Sequence, residues 1–86
     1  MSKPNLNNLT PTDALILQQI AETGEETLTE LMYDTGMSQG MLHSLLCHLK
    51  KKGLVVLNYS YEAIYVSLSK QGRRAMHEVW PSLRYA

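Results

Sequence analysis

Residues 38–48 carry side chains that could form hydrogen bonds together on one face of a helix. The leucines of this stretch would lie on the opposite face. Gln39 can pair with adenine through two hydrogen bonds, and His43 and Ser44 can donate to base acceptors. Met41 suits a thymine methyl group. Gln39, Met41, His43 and Ser44 are therefore candidates for reading base edges in a major groove.

A second set of side chains suits phosphate, which attracts cations and helix N-termini whatever the base. The first 36 residues carry one lysine against six carboxylates, a net charge of −5, and residues 37–86 carry seven cations against two carboxylates, a net +5. The zero total charge thus conceals a basic half. If the fold also separates the two halves in space, this asymmetry indicates contact with nucleic acid or a membrane. The predicted phosphate contacts are Ser38, His48, Lys50, Lys51, Lys52, Lys70, Arg73 and Arg74.

Several of these residues also have a purely structural interpretation. An exposed glutamine such as Gln39 is usually only solvated, and Lys50 to Lys52 can complement the negative end of a helix, for about 0.3 to 1 kcal/mol per cation. Gly40 either permits close approach of another backbone or simply costs about 1 kcal/mol relative to alanine. These alternatives remain open at the level of sequence.

His43 and Cys47 are four residues apart, so a helix would bring both to one face, where a metal or a redox reaction could be considered. No third or fourth ligand is evident, and a single cysteine is more often a small packed residue. The sequence also contains no phosphate loop, nucleophile elbow or metal-binding helix signature. We therefore predict no metal, no cofactor and no catalytic residue, and hence no enzyme.

Capping and periodicity predict three successive helices. Thr10 precedes Pro11 and opens the first helix, which ends at Gly24. Thr27 and Glu30 form a capping box for a short second helix that ends near Gly36. The third helix, about residues 38–52, begins at a Ser38 cap, ends before Gly53 and places four leucines at helical spacing: Leu42, Leu45, Leu46 and Leu49.

After Gly53 the hydrophobic period changes from 3.6 to 2, which predicts a β-hairpin over residues 54–68 with its tip near Ser60. Tyrosines 59, 61 and 65 in this hairpin could stack on bases, although cross-strand packing or a dimer surface is more common. Ser69 caps a last helix, with Ala75, Met76 and Val79 facing inward and Pro81 at or beyond its end. Trp80 is expected to cover the core edge or a partner chain.

The stretch from Leu28 to Val55, LTELMYDTGMSQGMLHSLLCHLKKKGLV, resembles the winged helices of MarR-type and related transcription regulators, and Val66 to Arg73 resembles their strand-to-helix segment. This resemblance implies an α+β, mostly helical, winged helix-turn-helix: three helices, a hairpin wing and a C-terminal helix. The chain departs from the family in its short flanks, because full-length members carry additional terminal helices that form the dimer. The wing also lacks the arginine that members commonly insert into the minor groove.

We interpret the chain as a loose N-terminal arm, residues 1–9, followed by a single winged-helix domain, residues 10–86. The resemblance implies a transcription regulator that binds double-stranded DNA, and the small size of the chain favours a homodimer. Because the N-terminus has no apolar signal-peptide core, we expect a cytoplasmic protein. No apolar run is long enough to cross a membrane. The alternative is an adaptor whose hairpin and last helix bind a protein partner, for which the zero net charge and the wing without arginine argue.

Overall fold

A computed structural model describes residues 9–79 and confirms the α+β, mostly helical, winged helix-turn-helix. The described residues do not include residues 1–8 of the predicted arm, Trp80 or Pro81. The side chain of Val79 also lies outside the described part of the structure. Within residues 9–79, no helix combines the length and the apolar content that crossing a bilayer requires. The elements in chain order are α1 (Pro11–Thr23), β1 (Glu25–Thr27), α2 (Leu28–Thr35), α3 (Gln39–Lys51), β2 (Val55–Tyr59), β3 (Ile64–Leu68) and α4 (Lys70–Val79).

The helices begin at the predicted caps. The Thr10 hydroxyl accepts from the Asp13 amide at 3.0 Å, while the Asp13 carboxylate accepts from the Thr10 amide at 3.1 Å. Thr27 and Glu30 form the same reciprocal pair at the start of α2. Gly36 ends α2 with a φ of 72°, a left-handed conformation that favours glycine.

The wing is part of a three-stranded antiparallel sheet with the order β1-β3-β2. In the predicted hairpin, Val55 pairs with Leu68 and Tyr59 with Ile64. The Ser60 amide and hydroxyl both donate to the Ala63 carbonyl and close the turn. The sequence did not indicate β1, which pairs with the other edge of β3 and connects the end of α1 to the sheet.

One hydrophobic core joins the helices to the sheet. Leu42, Leu46 and Leu49 are completely buried, as predicted, because they line the inner face of α3. Leu45 was expected to be buried as well, but it lies toward the side of that face and is only half-buried. From the last helix, Ala75 and Met76 enter the same core, which confirms the predicted inner face of α4.

The end of α3 is joined to the start of α4 by a compact junction. The Ser69 hydroxyl donates to the Gly53 carbonyl at 2.5 Å and accepts from the Gly72 amide at 2.9 Å. The Ser69 amide donates to the Leu54 carbonyl at 3.0 Å. Gly72 lies so close to Leu54 that a Cβ atom would overlap the Leu54 carbonyl oxygen. The junction therefore fixes both helices relative to the wing.

Candidate nucleic-acid interface

The outer face of α3 is open, as the burial of its leucines requires. Ser38, Gln39, Ser44 and His48 are exposed, and the Met41 side chain retains 65% of its accessible surface. The Ser38 hydroxyl accepts from the Met41 amide at 3.3 Å, so Ser38 also caps the helix. Met41, Ser44 and His48 lie together along one groove, whereas Gln39 is exposed but is not among the residues that line it.

His43 is the exception among the predicted base-reading residues, because it is half-buried against the wing. Its Nε2 atom lies 3.0 Å from the Tyr59 hydroxyl, and the two rings meet edge to face at 6.1 Å. Cys47 Sγ lies 3.9 Å from the same nitrogen. His43 thus connects α3 to β2, a role that sequence reasoning missed because the two residues are sixteen positions apart.

A groove of about 720 Å³ separates the first turn of α1 from the outer face of α3. Thr10 and Thr12 lie on the α1 side, and Met41, Ser44 and His48 lie on the α3 side. The N-terminus of α1 is therefore beside the α3 face, and the Asp13 carboxylate, which also lines the groove, is hydrogen-bonded to it. The sequence indicated Thr10 only as a cap, and nothing in it showed that α1 begins next to α3.

The predicted phosphate-binding cations occupy a different region from Gln39. Lys50 and Lys51 are exposed in the last turn of α3, and Lys52 is its half-buried C-cap. At 1.5 Å per residue, Lys50 is roughly 16 Å along the helix axis from Gln39. Lys70, Arg73 and Arg74 are exposed on α4, which begins beside the α3 C-terminus through the Ser69–Gly53 bond and packs on α1 and β3.

Positive charge is distributed unevenly over α3 and α4. From Ser38 to Cys47, α3 and its N-cap contain no lysine or arginine, so the N-terminal half of the helix offers neutral hydrogen-bond donors and acceptors and the imidazole of His43. The cations lie instead around the α3 C-terminus and on α4. Within residues 9–79, no group of three or more His, Cys, Asp or Glu side chains is arranged to hold a metal ion.

Comparison with solved structures supports the MarR-like winged-helix fold. A probable transcriptional regulator from Pseudomonas aeruginosa is 28% identical with a TM-score of 0.77, and the match covers 86% of this chain and 58% of that one. AbsC, a MarR family transcriptional regulator from Streptomyces coelicolor, is 22% identical with a TM-score of 0.80, covering 87% of this chain and 54% of AbsC. The chain therefore spans just over half the length of these two proteins.

A shorter neighbour is matched over most of its length. HlyU from Vibrio cholerae is 21% identical with a TM-score of 0.70, and the match covers 85% of this chain and 83% of HlyU. No curated protein matches the sequence.

A sequence model described as bacterial regulatory protein, arsR family, matches residues 10–56. The matched segment extends from the α1 cap through α2 and α3 into β2 and includes the helix-turn-helix and the outer face of α3. It accounts for more than half of the sequence. The chain belongs to the ArsR family of bacterial regulatory proteins.

Proposed function

We propose that the protein is a transcription regulator that binds duplex DNA with α3 in the major groove. The observation that carries this proposal is the division of α3 into two faces. Leu42, Leu46 and Leu49 are 0% exposed, whereas Gln39 and Met41 are open to solvent. A helix with this division can enter a groove about 12 Å wide while its inner side remains packed.

In this proposal Gln39 is the principal base-reading residue, because its amide can form two hydrogen bonds with adenine. Ser44 and Met41 would face neighbouring base pairs. His43 would use the ring atoms that Tyr59 leaves available, so the wing would determine the orientation of its imidazole. The phosphate contacts would come from Ser38, His48, Lys50, Lys51, Lys52, Lys70, Arg73 and Arg74.

The cations around the α3–α4 junction and the neutral half of α3 would have separate roles, the cations in affinity for DNA and the neutral half in base specificity. These cations would contact the backbone of the duplex, and the neutral half of α3 would read the bases.

Fluorescence anisotropy tests the base-reading role, with duplexes first selected from genomic DNA by the purified protein. We expect Gln39→Ala to reduce discrimination between selected and random duplexes by about 1–3 kcal/mol, while weak nonspecific binding persists. Gln18→Ala, on α1, is the matched control and should leave discrimination unchanged. Equal discrimination by the wild type and Gln39→Ala would contradict the assignment, and absence of binding at low salt would contradict the function.

We further propose that the protein acts as a homodimer. A two-fold pair of α3 helices about 34 Å apart would contact two half-sites one turn apart on the duplex. Sedimentation equilibrium of the full chain, with and without a selected duplex, tests this assembly. Two copies per duplex are expected, and one copy at saturation would refute it.

A protein-docking module is the second candidate, and the exposed wing is the observation that favours it. Tyr61 is fully exposed, Tyr59 retains 56% of its surface, and Val56 retains 44%. Residues 58–63 contain no cation but do contain Glu62. A stoichiometric protein partner that is lost on Tyr61→Ser, together with absence of DNA binding at low salt, would favour this function.

A further inference from the structure

An acidic pocket lies on α1, β1 and α2, and neither proposed function uses it. It has a volume of about 430 Å³, and four carboxylates line it: Glu25, Glu26, Glu30 and Asp34. No lysine, arginine or histidine is among its lining residues. The pocket is therefore strongly negative.

Gln19 of α1 aligns two of these carboxylates. Its amide nitrogen donates to Glu26 Oε1 at 3.0 Å and to Asp34 Oδ2 at 3.1 Å. Both hydrogens of the amide are thereby used. Because the amide is neutral, it brings the two carboxylates together without cancelling their charge.

Glu26 has an unsatisfied atom. The residue is only 4% exposed, and its second carboxylate oxygen, Oε2, is buried without a hydrogen-bond partner. Burial is the main cause that raises the pKa of the Glu26 carboxyl. Hydrogen bonding with Gln19 and Thr23 opposes this rise, and the hydrogen bond and negative charge of Asp34 add to it. A buried carboxylate that lacks a full set of partners is costly, so a positive charge nearby would stabilise it.

The size and lining of the pocket indicate the kind of cation. A volume of about 430 Å³ is within the range of small-molecule sites and far exceeds the space that a bare ion needs. Carboxylates form strong charge-assisted hydrogen bonds with ammonium and guanidinium groups. The Tyr33 ring, 89% exposed and part of the lining, offers an aromatic face to such a cation.

We propose that this acidic pocket binds a small organic cation that carries a primary ammonium or guanidinium group. Asp34 and the other accessible carboxylates contact its N–H donors, and its charge stabilises the ionised form of Glu26 beneath them. The site is independent of the α3 surface, so the proposal does not depend on DNA binding.

Calorimetric titration of the 86-residue chain without DNA, at neutral pH and low salt, tests this inference. The probes are agmatine and 1,4-diaminobutane, with uncharged 1,4-butanediol and magnesium chloride as comparisons. We expect saturable binding of one amine or guanidine probe per chain, with amide NMR shifts centred on Thr27 and Asp34. Neither butanediol nor magnesium should reproduce these shifts.

Three variants locate the site. Asp34→Asn and Glu26→Gln should each weaken probe binding by about tenfold or more, because each removes one charge from the pocket. Glu22→Gln changes an exposed carboxylate on α1 outside the pocket and should leave affinity unchanged. Unsaturable binding, equal binding of butanediol or magnesium, or equal weakening by Glu22→Gln would overturn the proposal. Circular dichroism verifies that each variant is folded.

Discussion

At the scale of single residues, Glu26 makes a specific contribution to the pH dependence of stability. Its carboxyl is buried beside Asp34, and burial raises its pKa above the ordinary 4.5. A group whose pKa is higher in the folded state stabilises the fold fully below its unfolded pKa. That stabilisation is lost as the pH rises through the folded pKa. Glu26 therefore lowers the free energy of unfolding at neutral pH relative to acid.

Glu26→Gln should remove this penalty. The glutamine can still accept from Gln19 and can donate its own amide to Asp34, so it imitates the protonated acid. We expect the variant to be more stable than the wild type at pH 7, and we expect the difference to shrink as the pH falls through the raised pKa of Glu26 toward 4.5. Urea unfolding across this pH range measures the effect. Glu25→Gln, its exposed neighbour in β1, should change little, and a destabilised Glu26→Gln at pH 7 would contradict the interpretation.

At the scale of elements, two glycines in helices have opposite surroundings. Gly72 of α4 lies against the Leu54 backbone, where a Cβ would overlap the carbonyl oxygen. A Cβ added at Gly40 of α3 meets no atom of residues 9–79 within 4 Å. We expect Gly72→Ala to lower the free energy of unfolding by about 1–3 kcal/mol or more. Gly40→Ala, its matched control, should raise it by up to about 0.5–1 kcal/mol. Thermal unfolding measures both variants, and an equal change in their free energy of unfolding would contradict this packing.

Gly40 also connects stability to the proposed interface. Because no atom of the described residues 9–79 lies within 4 Å of a Cβ added at Gly40, we attribute a requirement for glycine there to close approach of a bound molecule. We expect Gly40→Ala to weaken binding of selected duplexes by roughly tenfold while the protein becomes more stable, because the methyl group would hold the helix away from the groove. Ser44→Ala, also on the outer face, controls for loss of a polar contact. Unchanged affinity in Gly40→Ala would mean that Gly40 is only tolerated.

The elements that sequence could predict are those specified by local chemistry. Thr10, Thr27 and Ser38 cap the helices that follow them, and each capping interaction lies within three residues of the chain. The leucine spacing of α3 similarly specifies its buried face. β1 could not be predicted, because Glu25 to Thr27 lacks β-branched alternation and becomes a strand only where the free edge of β3 is available.

The features that the sequence could not predict depend on contacts between residues that are far apart in the chain. Sequence identified His43 as a candidate but could not place Tyr59 at 3.0 Å from its ring. It likewise could not show that Gln19 joins Glu26 to Asp34, because acidic residues are usually solvated and a buried one is atypical. These side chains depend on how α1, the sheet and α2 pack, and no local pattern encodes that arrangement.

At the scale of the whole molecule, the charge asymmetry of the sequence becomes a spatial division. The acidic pocket is formed by residues 23–34, and the cations of the other half lie near the α3 C-terminus and on α4. In the proposed complex, the negative side must face away from the duplex to avoid repulsion. Affinity for DNA should then depend on salt in proportion to the cations that reach phosphates, although the net charge is zero.

Replacing Lys50, Lys51 and Lys52 together by alanine tests this division. If all three contact phosphates, the slope of log affinity against log salt concentration should decrease by up to about 3, because each released counterion contributes roughly 0.9. Discrimination between selected and random duplexes should persist, since phosphates carry no base identity. Anisotropy titrations between about 50 and 200 mM salt measure both quantities. Glu22→Gln, an exposed charge change on α1, is the control and should leave the slope unchanged. An unchanged slope in the triple variant would mean that these lysines only complement the α3 dipole, and the cations of α4 alone would then have to supply the attraction.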